Sequence, residues 1–289
     1  MQAPVTISLA QCDAVLGDVG RNLDAHLQHI ETARAQGAGL VVFPELSLTG
    51  YSLRDLTTEV SLRADAAPLA RLAEASHGID IAAGWIDESP EHVLYNAAGY
   101  FSRGRLVHVH RKVYPVNYGM FEERRYWGAG DRVAAFDTAW GRAGLLICED
   151  QWHPSTSYLL FADRADVIIT LSASPARGVL RNGGAPMVPG SSRVWETLLR
   201  QQSAALTLWS VYVNRAGVED GTSFAGGSRV VDPFGEVTCV MGVGPAQECV
   251  TLEPAPLARR RLENPMLRDE RLEVTIGNLQ RITRERLGG

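Results

Sequence analysis

Gly141-Arg142-Ala143-Gly144-Leu145-Leu146-Ile147-Cys148-Glu149-Asp150-Gln151-Trp152-His153-Pro154 is the stretch from which the rest of the chain is best read. Leu145 to Ile147 is a short apolar run with glycines upstream, the pattern of a buried strand, and it stops abruptly at a cysteine followed by two acids. A strand end is rigid, and its last side chain opens into the crevice where strands give way to loops, so Cys148 is a candidate nucleophile. Taken alone, it reads more simply as the end of a core strand, because free cysteine is among the most buried residue types.

Two more ionisable residues stand at the ends of strand-like runs. Leu40-Val41-Val42-Phe43 stops at Pro44-Glu45, which puts a carboxylate where solvent is scarce and the charged form is disfavoured. Glu45 reads equally as a turn cap or as the partner of an arginine. Arg105 to Arg111 is followed by Lys112, whose plain reading is a surface lysine in a basic patch. Downstream, Phe121-Glu122-Glu123-Arg124-Arg125-Tyr126-Trp127 is aromatic and charged at once, the character of a loop that lines something.

Strand and helix patterns alternate along the chain. Val5 to Cys12 reads as a strand, Leu23, Leu27, Ile30 and Ala33 as one face of a helix ended by Gly37, and Leu62 to Ala75 as a second helix. Ile79 to Ile86, Tyr95 to Ser102 and Arg105 to Arg111 are strands, the last two joined by Arg103-Gly104 as a hairpin. His108 and His110 share a strand face, but no third ligand stands at a suggestive spacing, so a packed or solvated face is the better account and no metal is expected. Ser157 to Arg164 reads as a short helix, Asp166 to Leu171 as a strand ending in Ser172-Ala173-Ser174-Pro175, and Arg177 to Ser192 as a glycine- and proline-rich loop over a crevice. Ser192 is placed as the cap of a helix Arg193 to Ala205. Leu206 to Asn214, Gly227 to Asp232 and Glu236 to Met241 read as strands, and Leu272, Ile276, Leu279 and Ile282 mark the apolar face of a terminal helix.

The 289 residues suffice for one large domain with a substantial core. With 45% hydrophobic and 21% charged residues and a net charge of −5, the composition is that of an ordinary globular protein, and nothing points to nucleic acid. No secretion signal and no run of membrane-spanning length is visible, so the expected location is cytoplasmic. Cys12, Cys148, Cys239 and Cys249 lack CxxC spacing and are expected as free thiols.

Phe43-Pro44-Glu45 with Leu48-Thr49-Gly50-Tyr51, Arg111-Lys112, Phe121-Glu122-Glu123-Arg124-Arg125-Tyr126 and Ile147-Cys148-Glu149-Asp150 together resemble the carbon–nitrogen hydrolase (nitrilase) superfamily. The resemblance runs from about Val5 to Leu252 and implies an α/β fold, a four-layer α-β-β-α sandwich of a single domain. On that likeness residues 1–256 form the hydrolase domain and 257–289 a helical tail that docks on its own domain or on a partner subunit. A closer likeness is to the glutaminase domain of glutamine-dependent NAD synthetase, carried by Glu45 to Tyr51, Tyr118-Gly119-Met120-Phe121, Cys148-Glu149-Asp150, Ser172-Ala173-Ser174-Pro175 and Tyr212-Val213-Asn214. Two departures stand out. Gly178 is followed by Val179 where those relatives carry a basic residue, and Ala225 stands in Phe224-Ala225-Gly226-Gly227-Ser228 where they tend to have an acid. The synthetase domain and its phosphate loop are absent before Gly289, so NAD synthesis by this chain alone is not expected.

The resemblance implies a cofactor-free amidase that cleaves the C–N bond of a small primary ω-amide, glutamine or a relative, through a cysteine thioester and releases ammonia. Cys148 would attack, helped by a base because a free thiol of pKa about 8.5 is mostly protonated at neutral pH. Glu45 would take and return the proton, Lys112 would face the oxyanion, and Glu123, like the family's second glutamate, would position Lys112 and the substrate. Tyr118, Phe121, Glu149 and Ser174 are the implied pocket, with Glu149 facing an amino group and Arg177 or Arg181 replacing the missing basic residue. Competing implications are another branch amidase or carbamoylase, and a glutaminase-like subunit feeding ammonia to a separate synthetase. Family members usually pair through helices, so a homodimer or higher assembly is expected.

Overall fold

The computed structural model describes residues 1–178 and 189–287. Val179, Arg181, Gly183, Gly184 and Pro186 of the expected loop lie outside the described residues. Two six-stranded mixed sheets stack face to face. The first contains β1 (Val5–Gln11), β2 (Leu40–Val42), β3 (Asp80–Glu88), β4 (Leu94–Ser102), β5 (Arg105–Arg111) and β14 (Ala246–Leu252), in the order β14-β1-β2-β3-β4-β5. The second contains β6 (Ala135–Asp137), β7 (Arg142–Ile147), β8 (Val167–Ser172), β9 (Trp209–Asn214), β12 (Arg229–Val231) and β13 (Val237–Val240), in the order β13-β12-β9-β8-β7-β6. A two-strand ribbon of β10 (Val218–Glu219) and β11 (Thr222–Ser223) stands apart.

Alternation along the strands builds the layers, because successive side chains point to opposite faces. Val5, Ile7 and Leu9 of β1 meet Leu145 and Ile147 of β7 and Val167, Ile169 and Leu171 of β8 in the core between the sheets. The other face of the first sheet, with Val41, Ile81, Ala83 and Phe101, is covered by Leu23 and Ile30 of α1 (Val19–Ala35), and by Leu69 and Leu72 of a later helix, Ala67–Ala75. On the far side Leu146 and Ile168 pack on Leu160 and Phe161 of the helix Pro154–Ala162, and Tyr212 and Val231 pack on Trp195 and Leu199 of the helix Gly190–Leu206. Helix, sheet, sheet and helix give the four layers.

In the centre of each sheet β1, β2 and β3, and β7, β8 and β9, run parallel, so their C-terminal ends open at the same edge. The β4–β5 hairpin turns through Arg103 and Gly104, both at positive φ (52° and 78°), the geometry of a two-residue turn.

Several boundaries differ from the sequence expectation. The second helix begins at Ala67, where Pro68 suits a first turn, and Thr57–Val60 forms a separate turn before it. The helix expected from Ser157 starts at Pro154 for the same reason. Ser192 is not a cap: the helix already begins at Gly190, and the Ser192 hydroxyl accepts a hydrogen bond from Arg229 Nη2 at 2.7 Å. The edge strand Ala246–Leu252 carries mostly exposed side chains and lacks the apolar run that would announce it. No helix of the described residues is long and apolar enough to cross a membrane.

The chain continues past the sandwich as the helices Pro254–Glu263, Met266–Asp269 and Leu272–Ile282. Leu257 is buried in the inter-sheet core, and Arg261 donates to Asp166 Oδ1 (2.7 Å) and to the carbonyls of Ala165 (2.8 Å) and Thr207 (3.3 Å). The first helix of the tail is thus built into the sandwich, whereas Leu272, Ile276, Leu279 and Ile282 are exposed.

Candidate active site

Lys112 and Cys148 follow β5 and β7 directly and Glu45 stands three residues after β2, so three strand ends on one edge deliver them to one crevice. Glu45 and Lys112 are each only 1% exposed and Glu123 3%, and burial at that level requires the charges to be paired. Lys112 Nζ donates to Glu45 Oε1 and to Glu123 Oε1, both at 2.8 Å. The remaining lone pairs are also spoken for. Glu45 accepts from Asn96 Nδ2 (2.7 Å) and from the Ala173 N–H beyond β8 (2.8 Å), while Glu123 Oε2 accepts from the Val116 N–H (2.9 Å) and its Oε1 from the Tyr51 hydroxyl.

The electrostatics follow from two carboxylates sharing one ammonium. Burial alone would lower the Lys112 pKa, but Glu123 and Glu45 outweigh it and hold the ammonium charged, well above its ordinary value. Glu123 is pushed above the usual carboxyl range, by burial first and, against the pull of Lys112, by Glu45. An ammonium has three donors. Two are committed to carboxylates, which leaves one for an incoming group.

Cys148 begins a 3-10 turn, Cys148–Trp152, with φ of 42°, a left-handed conformation that an L-residue adopts at a cost of about 1–3 kcal/mol. The turn is held by Asp150. Its Oδ2 lies 2.8 Å from His110 Nε2 and accepts from the Ile147 N–H (3.2 Å), and its Oδ1 accepts from the N–H groups of Val113 (2.9 Å) and Tyr114 (3.0 Å). A single buried carboxylate therefore fixes the cysteine turn against the residues that follow Lys112. The thiol pKa is raised well above its ordinary value by burial and then by the Glu45 charge, with Lys112 and a hydrogen bond to Ser172 pulling the other way. Those charges can act on it only because the three groups are neighbours.

The thiol opens into a cavity of about 180 Å³ lined by Tyr118, Phe121, Glu149, Trp152, Ser174 and Arg177 among others. All four residues expected in the pocket are therefore brought to it. Tyr118 is 58% exposed at the mouth and its hydroxyl donates to Glu149 Oε2 at 2.9 Å, with burial and that carboxylate raising the phenol to about 12. Ser174 is buried, with its hydroxyl accepting from Trp195 Nε1 at 3.0 Å, so that oxygen is already engaged. Phe121 separates this cavity from a second one lined by Tyr51, Glu123, Tyr126 and Trp127.

Sequence reasoning missed Asn96, Tyr51, Asp150 and His110 as participants. Their roles come from partners 51, 72 and 40 residues away, and no local spacing signals them. The two histidines on β5 have separate partners: His108 stacks on Phe136 (4.3 Å between ring centres) and His110 meets Asp150.

Residues 6–249 match the carbon–nitrogen hydrolase family. The chain is 33% identical over 241 residues to the glutamine-dependent NAD(+) synthetase of Thermotoga maritima, a match that covers 80% of this chain and 39% of that one. It is thus similar to about two fifths of the length of the curated synthetases it matches. The glutamine-dependent NAD+ synthetase of Acinetobacter baumannii superposes with a TM-score of 0.79 at 26% identity, over 88% of this chain and 46% of that one. A variant of the amidase from Nesterenkonia sp. AN1, in which acrylamide has added to the active-site cysteine, superposes with a TM-score of 0.76 at 25% identity, over 90% of this chain and 97% of that one. With that match spanning both sheets, the chain belongs to the carbon–nitrogen hydrolase family.

Proposed function

We propose that this protein is a cofactor-free cysteine amidase that hydrolyses a small primary ω-amide of the glutamine type. The observation that carries this reading is the buried Lys112 ammonium 2.8 Å from both Glu45 and Glu123, beside a thiol whose titration feels all three. The glutamine dependence named for the synthetase relatives, and the modified cysteine of the amidase neighbour, support it.

The chemistry follows from the groups. Because the resting thiol is neutral, Cys148 Sγ attacks the amide carbon as its proton passes to Glu45, so that nucleophile and base act together. The carbonyl oxygen gains charge and meets the third Lys112 donor. Glu45 then hands the proton to the departing nitrogen, the C–N bond breaks, and ammonia leaves a thioester on Cys148. A water molecule deprotonated by Glu45 attacks that thioester, the C–S bond breaks, and the acid departs as Glu45 returns the proton to sulfur. Glu123 holds Lys112 in place and Tyr51 holds Glu123. Within the pocket Tyr118, Phe121, Glu149 and Ser174 surround the substrate.

Ammonia release by the wild-type, Cys148→Ala, Lys112→Ala and Glu45→Gln proteins tests the assignment. Each substitution should lower turnover at least about a hundredfold, the scale expected for losing one oxyanion donor. Near-normal turnover in any of them removes that residue from the mechanism.

A second reading is supported by the glutamine-dependent synthetase relatives that the chain resembles. In it the protein is a glutaminase-like subunit that supplies ammonia to a separate synthetase, through the exposed Leu272–Ile282 face or as a homo-oligomer. Ammonia release that rises severalfold on adding a synthetase supports this reading, and release unchanged by it favours the stand-alone amidase.

A further inference from the structure

Behind the crevice lies a second set of buried charges that no step of the proposed hydrolysis uses. Arg215 follows β9 directly and is 1% exposed, and Glu219 on β10 is 5% exposed. Arg215 Nη1 donates to Glu219 Oε2 at 2.6 Å, while Nη2 donates to Asp13 Oδ1 (3.1 Å) and to the Ala14 carbonyl (2.5 Å) beyond β1. The guanidinium also lies 4.5 Å from the centre of the Phe224 ring. A buried ion pair is weak support for stability, because desolvation offsets much of its Coulomb gain. What this one does is hold a carboxylate in a fixed place.

That carboxylate grips the loop after β2. Glu219 Oε1 accepts from the N–H groups of Tyr51 (3.0 Å) and Ser52 (2.7 Å). Two successive N–H groups on one charged oxygen fix the place and tilt of the peptide, and with them the direction in which the Tyr51 side chain leaves the backbone. Gly50 permits the approach: a Cβ there would lie 2.8 Å from Glu219 Oε2, and the backbone has φ of +82°. The Tyr51 ring runs edge-on past Phe121, Trp127 and Phe224, and its hydroxyl donates to Glu123 Oε1, the oxygen that also accepts from Lys112 Nζ at 2.8 Å. Arg215, Glu219, Tyr51, Glu123 and Lys112 thus form an unbroken line of polar contacts from the ribbon to the ammonium.

We propose that the Arg215–Glu219 pair positions the ammonium for catalysis: by fixing the Tyr51 peptide it keeps the phenol on Glu123, and so aims the third Lys112 donor at the amide oxygen. Neither residue touches substrate; both are positioning residues that act through the Tyr51 hydroxyl. A misplacement of about 1 Å from a change far from the chemistry can cost about a hundredfold in rate, so such a line has leverage. The inference rests on the amidase reading for the task of Lys112.

Two measurements test it. In the first, kcat and KM for glutamine are determined in the wild-type, Glu219→Gln, Tyr51→Phe and doubly substituted proteins. Glu219→Gln should lower kcat about tenfold with KM changed less than about twofold, and in the Tyr51→Phe background it should lower kcat less than about twofold, because both changes act through one hydroxyl. Arg215→Lys, which keeps one bond to Glu219, should lose about threefold and obey the same rule, so the cycle can be read on either variant if the other fails to fold. Unchanged kcat, or the same loss in both backgrounds, overturns the inference. In the second, the NMR signal of the Tyr51 Cζ carbon, assigned in tyrosine-labelled protein by its loss in Tyr51→Phe, is followed in Glu219→Gln and Arg215→Lys. It should move in both, as the phenol leaves Glu123, and an unmoved signal overturns the inference. If wild-type protein hydrolyses no glutamine the amidase reading falls, and a signal that still moves leaves the placement of Tyr51 by Arg215 and Glu219 standing.

Discussion

Lys112 concentrates the residue-scale argument, because a buried ammonium held between two carboxylates is costly to break at any point. Removing its charge leaves Glu45 and Glu123 facing each other in a dry crevice, and the loss of one partner from a buried pair costs about 3–5 kcal/mol. Lys112→Ala should therefore lower Tm as well as turnover, which thermal unfolding beside an ammonia assay will show; lost turnover with unchanged Tm would contradict the buried pairing. Cys148 makes the opposite prediction. Its thiol is pushed up by burial and by Glu45, so the ultraviolet thiolate absorbance, taken as wild type minus Cys148→Ala, should be absent at about neutral pH. A thiolate signal there would mean that Lys112 and not Glu45 governs the resting sulfur. The three residues were marked in the sequence as ionisable groups at the ends of strand-like runs, a local pattern, and only the resemblance joined them into one site. Glu123 was reached through resemblance alone, since nothing in Glu122-Glu123-Arg124 distinguishes it from its neighbours until Lys112 Nζ is seen at 2.8 Å.

At the scale of elements, Glu45 is placed by a close approach of two chain segments. A Cβ on Gly84 of β3 would lie 2.6 Å from Leu46 N and 3.0 Å from the Pro44 carbonyl, so only glycine lets the strand pass under the Glu45 loop. Gly84→Ala should cost about 1–3 kcal/mol in denaturant unfolding and reduce turnover together, as overpacking displaces the loop. A protein as stable and as active as wild type would show that the loop position does not matter. Helix α1 is tied to the same loop through His26, whose Nε2 lies 2.9 Å from Ser47 Oγ and whose ring stacks on Phe43 at 4.0 Å. Burial, helped by the charge of His29 and opposed by the Asn22 carbonyl, lowers this ring from 6.5 to about 4. The unfolded chain therefore binds the extra proton more readily, and the stabilisation present above the unfolded value is lost as pH falls from 6.5 towards 4. Up to about 3 kcal/mol should disappear over that window. His26→Gln should be less stable at mildly alkaline pH yet flatter towards acid, as read by denaturant midpoints, and an unchanged acid slope would exclude His26 as the source. The strand core was legible from alternation, whereas helix starts depended on Pro68 and Pro154, and the Ser192 hydroxyl was claimed by an arginine 37 residues away.

At the scale of the molecule, the two stacked sheets explain why groups from distant parts of the chain meet: parallel central strands send their ends to one edge. The tail divides at the point where its burial stops. Deleting 265–289 removes mostly exposed side chains together with the Tyr158 bond to Glu270 Oε1 at 2.6 Å, and should cost little Tm. Deleting 254–289 also uncovers the inter-sheet core at Leu257 and frees Asp166 from Arg261, and should cost about 2–5 kcal/mol or prevent folding. Equal Tm for the two truncations would contradict that division. The sequence separated this tail by composition, but Leu257 shows no mark of its burial until the sheets are stacked.

The central claim is that a thiol, an ammonium and a carboxylate act on one substrate carbon, and the covalent intermediate reports on it most directly. Protein quenched during turnover of a glutamine-type amide and weighed intact should carry an acyl group mapped by peptide digestion to Cys148, absent from Cys148→Ala and strongly depleted in Lys112→Ala. Continued amide hydrolysis by Cys148→Ala, or an acyl group on any other residue, would contradict the account.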